Sequence, residues 1–292
     1  MRTTPLHALF GVEVHDIDLR DVTADRGYAD IRAAFEEHSL LLFRDQSLDD
    51  DRHLAFGALF GPIEDRRRGA DNLEPAMSVL TNQRDDKTMV PEEDHQVLNL
   101  KANQLWHTDS TFLPAPALAN ILAARTVTTT GGETEFASTR AAWRDMPEAL
   151  KARIRGKVIR HRYAHSRAKI SPKLATDDLF TMWRDQAWQA VWCNPVNGAE
   201  ALYIASHAFA VDGMQADEGQ ALIDELIAFS TQEHYVYSHP WRSGDVLMWD
   251  ERATLHRGRP WPYDEPRTLA SICITVTDRD GLAEMRAGQA AG

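Results

Sequence analysis

The sequence predicts an α+β chain that is mainly β, and three observations carry that expectation. The last third holds four short runs of strand-forming residues, HYVYSHPW, GDVLMWD, ATLHRG and RTLASICITVTD, separated by Gly, Pro and Asp at the spacing of a sandwich or jelly roll. The first two thirds alternate between apolar runs with a two-residue period and runs with a period near 3.6. No internal repeat, low-complexity tract or linker divides the 292 residues, so 1–292 is expected to form a single domain.

Taken in order, Phe10 to Leu19 alternates as a strand, Tyr28 to His38 has helical periodicity, and Ser39 to Phe43 is an apolar strand. Ser47 and Asp49 cap a helix that ends at Gly61-Pro62. Arg66 to Leu98 is polar, carries RRRG, two acidic pairs and Pro91, and is expected to include an exposed connection, with an active-site lid within 64–104. NILAARTVTTTGGETEFAS predicts two strands joined through Gly131-Gly132, and PEALKARIRG a helix starting at Pro147. Ser166 to Gln189 is expected to be irregular, LYIAS a strand, and DEGQALIDELIAFSTQ an amphipathic helix.

Composition narrows the function. Lys plus Arg total 32 against 44 for Asp plus Glu, a net charge of −12 that repels nucleic acid and anionic membranes. The two cysteines, Cys193 and Cys273, have no Cys-x-x-Cys spacing, which excludes a cysteine zinc site and fits free thiols in a reducing compartment. The N-terminus lacks a signal-peptide core, and no apolar run reaches the ~18 residues of a membrane helix, so a soluble cytoplasmic protein is expected. A homo-oligomer is left open.

The informative segment is NQLWHTDSTF. In an extended chain the i and i+2 side chains of His107 and Asp109 share one face, so an imidazole and a carboxylate converge. A third ligand completes the facial triad of non-haem iron(II) oxygenases, which leaves coordination positions open, and His256 in LMWDERATLHRG is the candidate. Arg267, 267 − 256 = 11 residues on, opens a β-rich run and offers a guanidinium for a carboxylate. Two His and one carboxylate also bind catalytic zinc, but the chain has no His-Glu-x-x-His motif. Trp106 and Trp249 beside the ligands are expected to be core packing.

NQLWHTDSTF, GGETEF, WRSGDVLMWDERATLHRGRPW and PRT resemble the taurine and phenoxyacetate (TauD/TfdA) 2-oxoglutarate dioxygenases, nearest in motif to the 2,4-dichlorophenoxyacetate type. The resemblance runs from FGVEVHDIDL through nearly the whole chain. It implies a double-stranded β-helix (jelly roll) with flanking helices, iron(II) held by His107, Asp109 and His256, and 2-oxoglutarate held through its distal carboxylate by Arg267 and Thr134. It also implies consumption of O2, release of succinate and CO2, and hydroxylation of a small organic acid, with ether or sulfonate cleavage where the hydroxylated carbon bears those groups. No catalytic residue beyond the metal ligands is needed. A taurine or alkylsulfonate substrate, or a catalytically silent small-acid-binding jelly roll, are the alternatives.

For the substrate, the resemblance points to Asn103 and His207, and extended alternation adds Thr111, two residues past Asp109. Ser271 stands where better-known members carry a second arginine that binds the substrate's acid group. Candidates for a substitute cation are Arg66, Arg67, Arg68, Lys87 and Lys101, although each is more often a solvated charge.

Overall fold

In the computed structural model, which describes residues 1–64 and 77–287, a seven-stranded sheet and a three-stranded sheet enclose the interior. The large sheet runs in the order Arg2–Pro5, Val12–His15, Leu40–Phe43, Val246–Asp250, Ala117–Thr126, Thr268–Thr275, Ser78–Thr81. Its pairings are antiparallel except that between Val12–His15 and Leu40–Phe43. The small sheet has Thr134–Ser138 between Val236–His239 and Thr254–Gly258. The strands on either side of Gly131-Gly132 therefore belong to different sheets, and that turn carries the chain across.

Alternation explains how one sheet serves two layers. Leu40, Leu42, Leu122, Leu247, Trp249 and Leu269 point inward and meet Phe136 of the small sheet. The intervening Leu41, Phe43, Ile121, Ala123, Met248 and Ile272 point outward and pack against Ile31 and Phe35 of helix Tyr28–His38 and Phe56 of helix Asp50–Ala58. On the far side of the small sheet, Ala137 and Leu255 are covered by Leu222, Ile223 and Leu226 of helix Ala216–Ser230. Both sheets are thus buried on both faces where the site lies.

The capped helices form as the sequence predicts: Asp49 accepts from the Arg52 amide at the start of Asp50–Ala58, and Tyr28–His38 ends at Ser39 in a left-handed conformation (φ 62). The Arg66 to Leu98 connection is more structured than expected. It contributes the edge strand Ser78–Thr81 and the start of helix His95–Ala102, because the Leu269 edge of the sheet offers backbone partners that polarity cannot reveal. Arg66, Arg67 and Arg68 lie outside the described residues. Ser166 to Gln189 is not irregular either: it holds the end of helix Tyr163–Ala168, helices Pro172–Ala175 and Asp178–Thr181, and strand Gln186–Gln189. These one-turn helices are too short for a periodic signal and are started by the caps Ser171 and Asp177. Of LYIAS only Leu202 belongs to a strand, Glu200–Leu202, while the Tyr203 and Ser206 amides bond to the Ala190 and Trp106 carbonyls.

A buried ionic network ties the outer helix to the strand end before the site. Arg252 donates to both oxygens of Asp250 and, at 2.6 Å, to Glu36, which also takes Asn194 and Arg32, while Arg32 reaches Asp280 at 2.9 Å. Burial alone would raise Glu36 and Asp280, but these partners hold both below the usual carboxylate range. Replacing Arg252 by Met removes the arginine shared by Asp250 and Glu36, leaving Asp250 with Arg140 at 3.6 Å and Glu36 with Arg32 and Asn194, and is expected to cost about 3 kcal/mol in urea unfolding. Arg252 is one of the partners that hold Glu36 low, and stability from a lowered carboxylate is present above ~pH 4 and lost as pH falls, so the variant should also unfold at higher pH on acid titration.

Candidate metal centre and cofactor pocket

The chain segment before Asp109 runs antiparallel to the outer edge of Thr254–Gly258. His107 and His256 exchange both backbone hydrogen bonds, 3.0 and 2.8 Å, and their ring centroids come within 4.1 Å. Thr108 points the opposite way, its hydroxyl near the carbonyls of Ile204 and Thr254, as extended backbone requires. The chain then turns at Ser110, which is left-handed (φ 59) and bonded through its hydroxyl to Glu64.

Asp109 is held on three sides. Its amide donates to Glu251 Oε2 (3.0 Å), and its Oδ2 accepts from Asn120 Nδ2 (2.7 Å) and Cys273 Sγ (3.5 Å). This leaves Oδ1 toward the imidazoles, 3.6 Å from His107 Nε2 and 3.9 Å from His256 Nε2. One ligand atom from each of the three residues lies within 4.8 Å of the others. His107 Nδ1 sits 2.7 Å from the Leu105 carbonyl, so Nδ1 carries the proton and Nε2 offers its lone pair. Burial holds the His107 pKa below its ordinary value, which keeps the ring neutral. Two imidazole nitrogens and one carboxylate oxygen fit iron(II) with sites left open.

The cluster opens into a cavity of about 430 Å³ between the two sheets. Arg267 lines it, 7% exposed, with Nη2 donating to the Gly132 carbonyl (2.8 Å) and its guanidinium 4.8 Å from the Trp261 ring centroid. Burial lowers its pKa to about 10, so it stays charged at neutral pH, and among the described residues no carboxylate lies within salt-bridge distance. Thr134 also lines the cavity, its hydroxyl accepting from Trp241 Nε1 (3.0 Å). Gly132 is left-handed (φ +71), and a Cβ there would stand 3.0 Å from Arg267 Nε, so this glycine makes room for the guanidinium.

Asn103 and His207 both line the cavity; His207 is 2% exposed, its ring centroid 6.2 Å from that of His107, and burial keeps it neutral. Thr111 does not join them. It is fully buried away from the cavity, because the left-handed turn at Ser110 ends the alternation that would have put it beside the ligands. Trp249 packs on His256 at 4.8 Å, whereas Trp106 stacks on Arg257 outside the cavity. Ser271 lines the cavity but donates to Asn120 Oδ1 (3.0 Å). Neither lysine replaces a cation here: Lys101 pairs with Glu92 and Lys87 is exposed, both off the cavity wall. Sequence reasoning missed Asn120, Glu251 and Trp241, and also Arg167, which lines the cavity. Of these only Asn120 carried a signal, a lone amide inside the buried run ALANILAA.

Residues 2–273 match the family described as Taurine catabolism dioxygenase TauD, TfdA family. The chain belongs to this family. It is 33% identical over 270 residues, 91% of this chain and 94% of the other, to alpha-ketoglutarate-dependent 2,4-dichlorophenoxyacetate dioxygenase of Cupriavidus pinatubonensis. It is also 33% identical over 271 residues, 91% of each chain, to (S)-phenoxypropionate/alpha-ketoglutarate-dioxygenase of Sphingobium herbicidovorans. Among solved structures, AAD-2 in complex with Mn(II) and N-oxalylglycine is similar with a TM-score of 0.88 and 32% identity, over 95% of this chain and 98% of that one. As a TauD/TfdA member the chain is an iron(II)- and 2-oxoglutarate-dependent dioxygenase, and its fold is the sheet-rich mixed α/β fold of these relatives. Among the described residues, no helix is long and apolar enough to cross a membrane.

Freeing the Asp109 carboxylate to rotate should weaken metal binding. Asn120→Ala is expected to lower iron(II) affinity roughly 10- to 100-fold in an anaerobic titration. Gly132→Ala is expected to displace Arg267 and raise the dissociation constant of 2-oxoglutarate while leaving that of iron(II) nearly unchanged.

Proposed function

We propose that this dioxygenase hydroxylates a small organic acid of the aryloxyalkanoate class. The observation that carries the reading is one cavity shared by the His107, Asp109, His256 cluster and an Arg267 guanidinium that lacks a carboxylate partner among the described residues. His107, Asp109 and His256 hold iron(II); Arg267 and Thr134 hold the distal carboxylate of 2-oxoglutarate; Asn103 and His207 face the substrate. Likeness to relatives named for 2,4-dichlorophenoxyacetate and (S)-phenoxypropionate supports the substrate class. The paired sheets are read as a double-stranded β-helix, and the wall formed by Ser78, Val79, Leu80, Asn99 and Leu100 as part of a lid over the cavity.

With both bound, iron(II) and 2-oxoglutarate supply the oxidation: 2-oxoglutarate, O2 and R–H give succinate, CO2 and R–OH. Where the attacked carbon bears an ether oxygen, the product is a hemiacetal that collapses to a phenol and a carbonyl compound. The protein's part is positional. Asn120 and Cys273 fix the Asp109 carboxylate, Trp249 fixes the His256 ring, and Phe112 and Leu113 present an apolar wall that excludes water. The neutral His207 can donate or accept one hydrogen bond without repelling the metal.

The test is substrate-stimulated succinate. Apoprotein is loaded anaerobically with iron(II) and 2-oxoglutarate, oxygen is admitted, and succinate is measured across aryloxyalkanoates, sulfonates and other small acids. An aryloxyalkanoate should give the largest stimulation, and a sulfonate in first place would move the substrate class. Asp109→Ala is expected to fall to background; succinate at the wild-type rate would sink the metal assignment. Arg267→Met should raise the KM for 2-oxoglutarate roughly 10- to 100-fold, the value of one charge-assisted pair.

A further inference from the structure

Among the described residues two guanidiniums line the cavity, and the proposed reaction uses one. The second belongs to Arg167, in helix Tyr163–Ala168, which follows the strand Val158–His161. It is 4% exposed. Among the described residues no carboxylate stands within salt-bridge distance of it, and its polar contacts are two neutral hydroxyls: Nη1 donates to Ser166 Oγ (3.1 Å) and Nη2 to Tyr163 Oη (3.0 Å). Its Nε is buried with no hydrogen-bond partner. The remaining compensation is aromatic, with the guanidinium carbon 4.4 Å from the Tyr163 ring centroid and 5.2 Å from that of Phe180.

A guanidinium has five donors and a full charge, and burying it with two neutral acceptors is costly unless an anion completes the site. A desolvated cation–π contact recovers about 2 kcal/mol or somewhat more, against the several kcal/mol that a buried ion loses. Arg267 shows the same signature at the cofactor end, buried and without a carboxylate, and an acid group explains it. Two acid groups enter this cavity during the reaction, one from 2-oxoglutarate and one from the substrate.

The position of Arg167 suits the second. His107, His207, Tyr163 and Arg167 form a continuous wall: ring centroids are 6.2 Å apart for His107 and His207 and 5.6 Å for His207 and Tyr163, on which Arg167 stacks. Phe112 lies against the same wall, stacked on Tyr163 at 3.7 Å. Arg167 also acts electrostatically on both histidines, adding to the burial that lowers them. Ser271, neutral and bonded to Asn120, supplies no charge.

We propose that Arg167 is the substrate's anion anchor: its guanidinium binds the carboxylate of the organic acid and holds the carbon skeleton along Phe112, Tyr163 and His207 toward the metal ligands. This rests on the reading of the cavity as an oxygenase site and makes Arg167 the residue that selects acids over neutral analogues. The rival role for Arg167 is a strut that braces Tyr163 and Phe180, and the two roles separate by ligand charge.

The experiment compares wild type, Arg167→Met and Arg167→Lys, each loaded with iron(II) and 2-oxoglutarate without oxygen, for binding of phenoxyacetate and 2-phenoxypropionate against their amides. Wild type should bind an acid roughly 10- to 100-fold more tightly than its amide, Arg167→Met should abolish that preference through loss of acid affinity alone, and Arg167→Lys should keep part of it. An equal acid-to-amide ratio in wild type and Arg167→Met, an equal loss for both ligands, or no acid preference in wild type would overturn the anchor. Should Arg167→Met fail to fold, the ratio in Arg167→Lys decides, a wild-type ratio there counting against the anchor. Failure of the wild type to bind 2-oxoglutarate would instead strike the oxygenase reading, which is measured separately in the same titrations.

Discussion

The pair of backbone hydrogen bonds between His107 and His256 joins segments 149 residues apart, 256 − 107, and sets the distance between two imidazoles. Side-chain packing alone would leave the rings free to slide. A hydrogen-bonded antiparallel pair fixes the spacing of its Cα atoms and the direction of its side chains. Everything else at the centre completes this pair: Glu251 takes the Asp109 amide, Asn120 and Cys273 stop its carboxylate from rotating, and the chain turns away at Ser110.

That pair holds because the sheets beneath it are covered on both sides. Helices Tyr28–His38 and Asp50–Ala58 shield the outer face of the large sheet and Ala216–Ser230 that of the small one, so charged side chains between the sheets are largely buried. In such a place a cation is either neutralised or it is a binding site. Arg252 is neutralised, by Asp250 and Glu36, and serves the fold. Arg267 and Arg167 lack carboxylates among the described residues and face the cavity, and what separates Arg252 from the two arginines proposed to bind acid groups is that partner, not burial, which all three share.

The elements with long periods or strong caps were legible. Tyr28–His38, Asp50–Ala58 and the four C-terminal strands form where periodicity and turn residues place them, and the His-x-Asp pair, His256, Arg267 and Thr134 reach one cavity. The edge strand Ser78–Thr81 was hidden because it owes its existence to a partner edge, and the one-turn helices between 163 and 181 because four to six residues carry no period. Thr111 was misplaced by an alternation that a single left-handed residue interrupts.

By itself, the sequence determined the family and the reaction class and singled out the two His and one Asp that the fold brings together, since these depend on residue types that the chemistry of a facial triad requires. Only the tertiary structure decided which of the chain's many charges are left without a counterion inside the cavity. Arg167, one of 32 basic residues, looks in sequence like a solvated helix position. Whether a charge is solvated, paired or waiting for a ligand is a matter of what surrounds it, and those surroundings are assembled from segments that meet only after folding.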